Sequence, residues 1–220
     1  MKHIAIKGAA ALLAGLFAVP AAAADNPMDT FGIQHNLYLG CLHDIGATSA
    51  ESLALLVDKC GYEPGISREA FIKQGQPILD LDPMRPLAEK MAPYRRHYSA
   101  YEFSFFERMD GVVRTAKDLP QAEAMYADLE REAIDKLDPK TTSGANVLAG
   151  LSVARHSLRY WQDYAAKTDP KGKKKWWHWV VIGLADVAGG VLGAETGPGA
   201  IGIAAAASET ANELINIVDP

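Results

Sequence analysis

From residue 25 onward, apolar positions return every three or four residues, punctuated by Gly and Pro, and no stretch alternates as a half-buried strand would. The pattern predicts an all-α fold, a multi-helix bundle closed by a C-terminal glycine-rich helical hairpin. In "NPMDTFGIQHNLYLGCLHDIG", Phe31, Gln34, His35, Tyr38, Leu39 and Leu42 recur at helical spacing, with Asn26 as cap, Pro27 in the first turn and Gly46 as the stop. Thr48 and Glu51 form a capping-box pattern ahead of Leu53, Leu56 and Val57, and Gly61 ends that helix. Ser67 caps a short third helix.

Pro83, Pro86 and Pro93 cannot share one straight helix. They predict a kinked connector with a helical turn around Leu87 to Met91, and a weak boundary near 76–93 inside a single helical domain, 25–220. Tyr94, Tyr98, Tyr101 and Phe105 are spaced for one helix face and are expected in the core. Asp118 and Pro120 start a helix whose Glu130, Arg131, Glu132, Asp135 and Lys136 make a solvated face. Thr142 or Ser143 caps the next, with Leu148, Leu151, Ala154, Leu158 and Trp161 along one side. Two final helices are expected from Trp176 to about Ala194 and from Ala200 to about Val218, joined by "ETGPG".

The first 24 residues stand apart. Lys2 and Lys7 precede an apolar run from Ala9 to Val19, and small residues at Ala22 and Ala24 suit cleavage after Ala24, so residues 1–24 read as a signal peptide. The expected location is the periplasm or the extracellular medium. Cys41 is the first cysteine and lies far from the apolar run, so no lipid attachment is indicated. In an oxidising compartment Cys41 and Cys60 are expected to form a disulfide, provided the loop from Asp44 to Ala47 folds back or the two helices splay. Cleavage removes two lysines from a chain of formal net charge −5, leaving about −7. Such a chain lacks the concentrated basic face that nucleic acid requires.

Catalytic and ligand-binding spacings are scarce. His35, His43, His97, His156 and His178 form no metal-binding pattern, and neither metal nor cofactor is expected. His35 and His43 lie about 12 Å apart along a helix, too far to share an ion. "GLSVA" lacks the glycine of a nucleophile elbow, and Asp80 and Asp82 read as capping and solvated groups. The exception is Asp186, mid-helix among small and apolar residues. Once buried it needs a donor: Ser157, Ser208, Asn36, Asn212 or His35.

Three fragments, "NPMDTFGIQHNLYL", "LSVARHSLRYW" and "WWHWVVIGLADVAGGVLGAETGPGAIG", together resemble a family of uncharacterised exported bacterial proteins, secreted or lipid-anchored. The shared features are an N-terminal Asn-Pro, Gly, His-Asn motif and a C-terminal Trp, Asp-x-x-Gly motif in a glycine-rich hairpin. The resemblance implies an all-helical exported protein and brings no activity with it. It also implies that His35, Asn36, Trp161 and Asp186 share one site. This chain departs from the lipid-anchored members in lacking an anchoring cysteine.

The expected function is that of an exported helical binding or interaction protein, with an unknown protein or small molecule as partner. One alternative is a membrane-active protein that inserts its hairpin, with Lys171 to Trp179 meeting the headgroups. That contact is disfavoured, because Asp186, Glu195, Glu209 and Glu213 are costly in hydrocarbon. The other alternative is a hydrolase with an unfamiliar His/Asp site.

Overall fold

The structure is a computed structural model describing residues 25–168 and 174–218; the expected signal peptide at 1–24 and Lys171 to Lys173 lie outside the described residues. The described residues form nine α-helices and one 3-10 turn, with no strand. In order these are α1 (Asp29–Asp44), α2 (Ser52–Asp58), α3 (Arg68–Leu79), α4 (Leu87–Met91), the 3-10 turn Ala92–His97, α5 (Ala100–Thr115), α6 (Leu119–Lys136), α7 (Thr142–Thr168), α8 (Trp176–Thr196) and α9 (Ala200–Val218).

Helix α8 is the axis of the bundle. It touches α3, α4, α5, α6, α7 and α9, and residues from His178 to Gly189 are buried without a break. Its apolar window has a mean hydropathy of 1.3, enough for a membrane span by length and composition, yet 83% of that window is buried inside the fold. The partner that approaches it most closely is α9. A Cβ on Gly189 would stand 2.9 Å from Ala204 Cα, and one on Gly193 2.9 Å from Ala200 Cα, so the glycines of α8 let its backbone come directly against α9.

Helix α1 ends as its pattern predicts: Gly46 N donates to His43 O and Ala47 N to Leu42 O, at 3.1 and 2.9 Å. The chain then turns back, and Cys41 and Cys60 are joined in a disulfide with their Cα atoms 5.9 Å apart.

Several local expectations are corrected. Helix α2 begins at Ser52, because Thr48 Oγ1 bonds the Glu51 carboxylate and Ser49 N is taken by Glu213 of α9, which leaves 49–51 as turn. Helix α3 continues through Pro77 to Leu79. Pro93 confines the next residues to a 3-10 turn, and a capping box between Ser99 and Glu102 starts α5 afresh. Tyr94 and Tyr98 therefore do not share a helix face with Tyr101 and Phe105. Tyr98 and Phe105 are buried in the core as expected, joined by Phe103, Phe106 and Met109, while Tyr101 is 43% exposed. Glu130 leaves the expected solvated face and is buried against Arg155. The hydroxyl capping α7 is that of Thr141, which accepts from Gly144 N at 3.1 Å.

The proline-rich connector is embedded. Helix α4 packs on α5 and α8, and the buried Asp110 carboxylate accepts from Leu87 N and Ala88 N at 2.7 and 2.9 Å, holding the start of this short helix.

Candidate functional site

Two places in the fold gather unusual chemistry. The first lies where α1, α7, α8 and α9 meet. Helix α1 is seated there by Gly32, whose amide donates to Ser152 Oγ at 3.2 Å and whose Cβ, if present, would stand 2.5 Å from Ser152 O. This close approach turns His35 inward and leaves it with no solvent exposure.

The hydrogen bonds assign the His35 tautomer. Asn36 Nδ2 donates to His156 O at 2.9 Å, so Asn36 Oδ1 is the atom that faces His35 Nδ1, also at 2.9 Å. Nδ1 must then carry the ring hydrogen, and Nε2 is left with its lone pair. That lone pair faces Asp186 Oδ2 at 3.5 Å. Ser157 Oγ donates to the same carboxyl group. Trp161 Nε1 donates to Ser208 Oγ at 3.2 Å, and both side chains support the carboxylate from the α7 and α9 sides.

Burial pushes the Asp186 carboxyl up to about 8, against the hydrogen bonds of Ser157, Ser208 and Trp161. It pulls the His35 imidazole down to about 4, against the bond from Asn36. A lone pair facing a carboxylate in a dry site is unfavourable, and a proton kept between them removes the conflict. At neutral pH both groups are therefore uncharged.

The structure thus brings His35, Asn36, Trp161 and Asp186 into one cluster, each in a different role. Asn36 fixes the far nitrogen of His35, and Trp161 reaches Asp186 through Ser208. His43 lies apart on its own partners, with Tyr160 Oη and Glu209 Oε2 each 2.7 Å from its ring nitrogens. Among the described residues no three His, Cys, Asp or Glu side chains converge as a metal site.

Serine, histidine and aspartate meet here in an order unsuited to nucleophilic catalysis. The carboxyl stands between the hydroxyl and the imidazole, so Ser157 has no base beside it. Ser157, Trp161, Asp186 and Ser208 are, like His35, shut off from solvent. The cluster can hold a proton and tie four helices together; it presents nothing to a substrate outside.

Two further polar networks anchor on the first half of α7. Asn26 Nδ2 donates to Glu130 Oε1 and Leu148 O at 2.7 and 2.9 Å, and Arg155 joins Glu130 to Asp29. In the second, Glu195 accepts from Tyr98 Oη at 2.6 Å and from Asn146 Nδ2 at 3.1 Å, with His97 Nδ1 2.6 Å away.

The second place is open. A groove of about 580 Å³ runs between α3, the α4 to 3-10 segment and the end of α8. Pro77, Ile78, Leu81, Pro93, Tyr94 and Leu192 give it apolar walls. Its charged lining residues are Lys73 and Lys90; no Asp or Glu lines it, although acids outnumber bases in the chain. Lys90 is 5% exposed, and its ammonium donates to Pro83 O at 3.0 Å. Burial draws this amine down to about 8, opposed by the charges of Asp82 and Asp110. Sequence reasoning missed the groove. Nothing distinguishes Lys90 from other lysines until the Pro83 turn folds over it.

Compared with protein-family models, with curated proteins and with solved structures, the chain matches none of them.

Proposed function

We propose that this is an exported helical binding protein whose ligand seats in the groove between α3, α4 and α8, and that the His35–Asp186 cluster is the keystone of its scaffold. The observation that carries the reading is the contrast between the two places. The open groove is apolar and free of acids, in the size range of small-molecule sites, while the polar cluster is sealed. A location in the periplasm or the medium is supported by the leader pattern, by a disulfide compatible with an oxidising compartment, and by the resemblance to an exported bacterial family.

The sealed cluster weighs against a hydrolase at His35 and Asp186. Membrane insertion is favoured by the composition of α8 alone, and would strip that helix from six neighbours. The test is titration of the chain from Asp25 with N-phenyl-1-naphthylamine, a neutral apolar fluorophore. Saturable one-to-one binding that disappears in Ala70→Trp, which fills the groove from α3, is the expected result. Absence of binding, or binding indifferent to the tryptophan, would sink the proposal.

A further inference from the structure

The lining of the groove says more about its occupant than its volume does. Two of its polar side chains are already committed: Gln74 Nε2 and Thr196 Oγ1 both donate to Gly193 O, at 3.3 and 3.1 Å. Pro77 and Pro93 offer no backbone N–H. A peptide laid here would leave amide groups without partners, a cost an aliphatic chain does not incur.

Lys90 is the odd member. Its side chain is buried, it has three N–H donors, and one of them is placed, on Pro83 O. The nearest carboxylates are engaged elsewhere: Asp110 on Leu87 N and Ala88 N, Asp82 on Met84 N at 2.9 Å. No carboxylate of the described residues forms an ion pair with Lys90. The charges of Asp82 and Asp110 reach this buried ammonium only beyond ion-pair distance, so at the wall of an acid-free apolar groove it has no directly bonded anion, and Lys73 at the rim adds charge of the same sign.

Resting on the reading of the groove as the ligand site, we infer that it takes an aliphatic monocarboxylate, with the carboxylate on the Lys90 ammonium and the hydrocarbon chain along Ile78, Leu81, Pro93 and Leu192. A carboxylate satisfies the open donors of Lys90 by charge-assisted hydrogen bonds, and the chain covers the apolar walls.

The test is calorimetric titration of the chain from Asp25 with decanoate, decanol and a short leucine-rich peptide bearing a free carboxylate. Decanoate should bind one to one, at least about tenfold more tightly than decanol, and Lys90→Met should bring it down to the affinity of decanol while decanol binding is kept. A second readout needs no variant: the Lys90 side-chain nitrogen resonance should shift with decanoate and stay in place with decanol. Equal binding of decanoate and decanol overturns the carboxylate assignment but leaves the groove as a ligand site. Binding of none of the three overturns the groove itself. A peptide that outcompetes decanoate overturns the aliphatic chain.

Discussion

His35 Nε2 of α1 and Asp186 Oδ2 of α8 face each other across 3.5 Å, both sealed from water. If Asp186 is a neutral acid, an amide can replace it. Nitrogen in the place of Oδ2 supplies hydrogens to His35 Nε2 and to Ser157 Oγ together. Asp186→Asn should therefore stay within about 1 kcal/mol of the parent in urea unfolding near pH 7, while Asp186→Ala, which leaves both partners orphaned, should cost roughly 2–4 kcal/mol. A costly Asn variant would mean that the carboxyl is ionised.

The same pair sets a pH signature. For Asp186 the folded value, about 8, lies above the ordinary 3.8, so its contribution is fully present below 3.8 and is lost as pH rises toward 8. For His35 the folded value, about 4, lies below 6.5, so the folded protein gains stability as pH rises from 4 to 6.5. The two slopes cancel between about 4 and 6.5, leaving a net fall from 6.5 to 8. Its steepness should approach roughly 1 kcal/mol per pH unit. The Asp186→Asn profile should itself show the His35 rise from about 4 to 6.5, and the parent profile minus that of the variant should fall from about 3.8 to 8; parallel profiles would show that the pair does not hold its proton.

Gly32 and Gly40 lie on the same helix and should behave oppositely. A methyl on Gly32 runs into Ser152 O and His156 Cδ2, each 2.5 Å away, whereas one on Gly40 meets nothing nearer than Tyr160 at 4.0 Å. Gly32→Ala is expected to lose about 2–3 kcal/mol or more by denaturant unfolding, and Gly40→Ala to lose none.

Removing the covalent link by Cys41→Ser with Cys60→Ser should cost about 3 kcal/mol, the loop-closure value for a separation of 19 residues. Equal stability of the two forms in the same unfolding experiment would show that the link is idle.

Anionic vesicles loaded with dye should stay sealed when the folded protein is added. Lys174 is held at 2.9 Å by Asn212 and lies over Trp179 at 4.6 Å, so the described part of the basic and aromatic flank is engaged with the fold itself. Leakage at micromolar protein would put the hairpin back in the membrane.

Periodicity and punctuation carried the helices whose signals are local. Asp118 with Pro120, Gly46, and the run from Trp176 through the glycine hairpin all place elements close to where they are found. Signals failed where a distant partner intervened. Thr48 and Glu51 bond each other by their side chains while Glu213, far along the chain, takes Ser49 N. The Tyr94 to Phe105 row kept its spacing on paper, but Pro93 and the Ser99 cap divide it between two elements. Asp186 was conspicuous because a carboxylate amid apolar residues must find a donor. Lys90 was not, because its burial depends on a turn and two helices that the local sequence does not announce.

Helix α8 has a consequence for the order of events in folding. The axle that α3, α4, α5, α6, α7 and α9 all touch is encoded at residues 176–196, so the earlier helices emerge before the helix that most of them share. Contacts of such long sequence separation form late and slowly, and the N-terminal two-thirds of the chain should remain open until its centre arrives. Such a delay fits the export proposed above, in which the chain would cross a membrane unfolded.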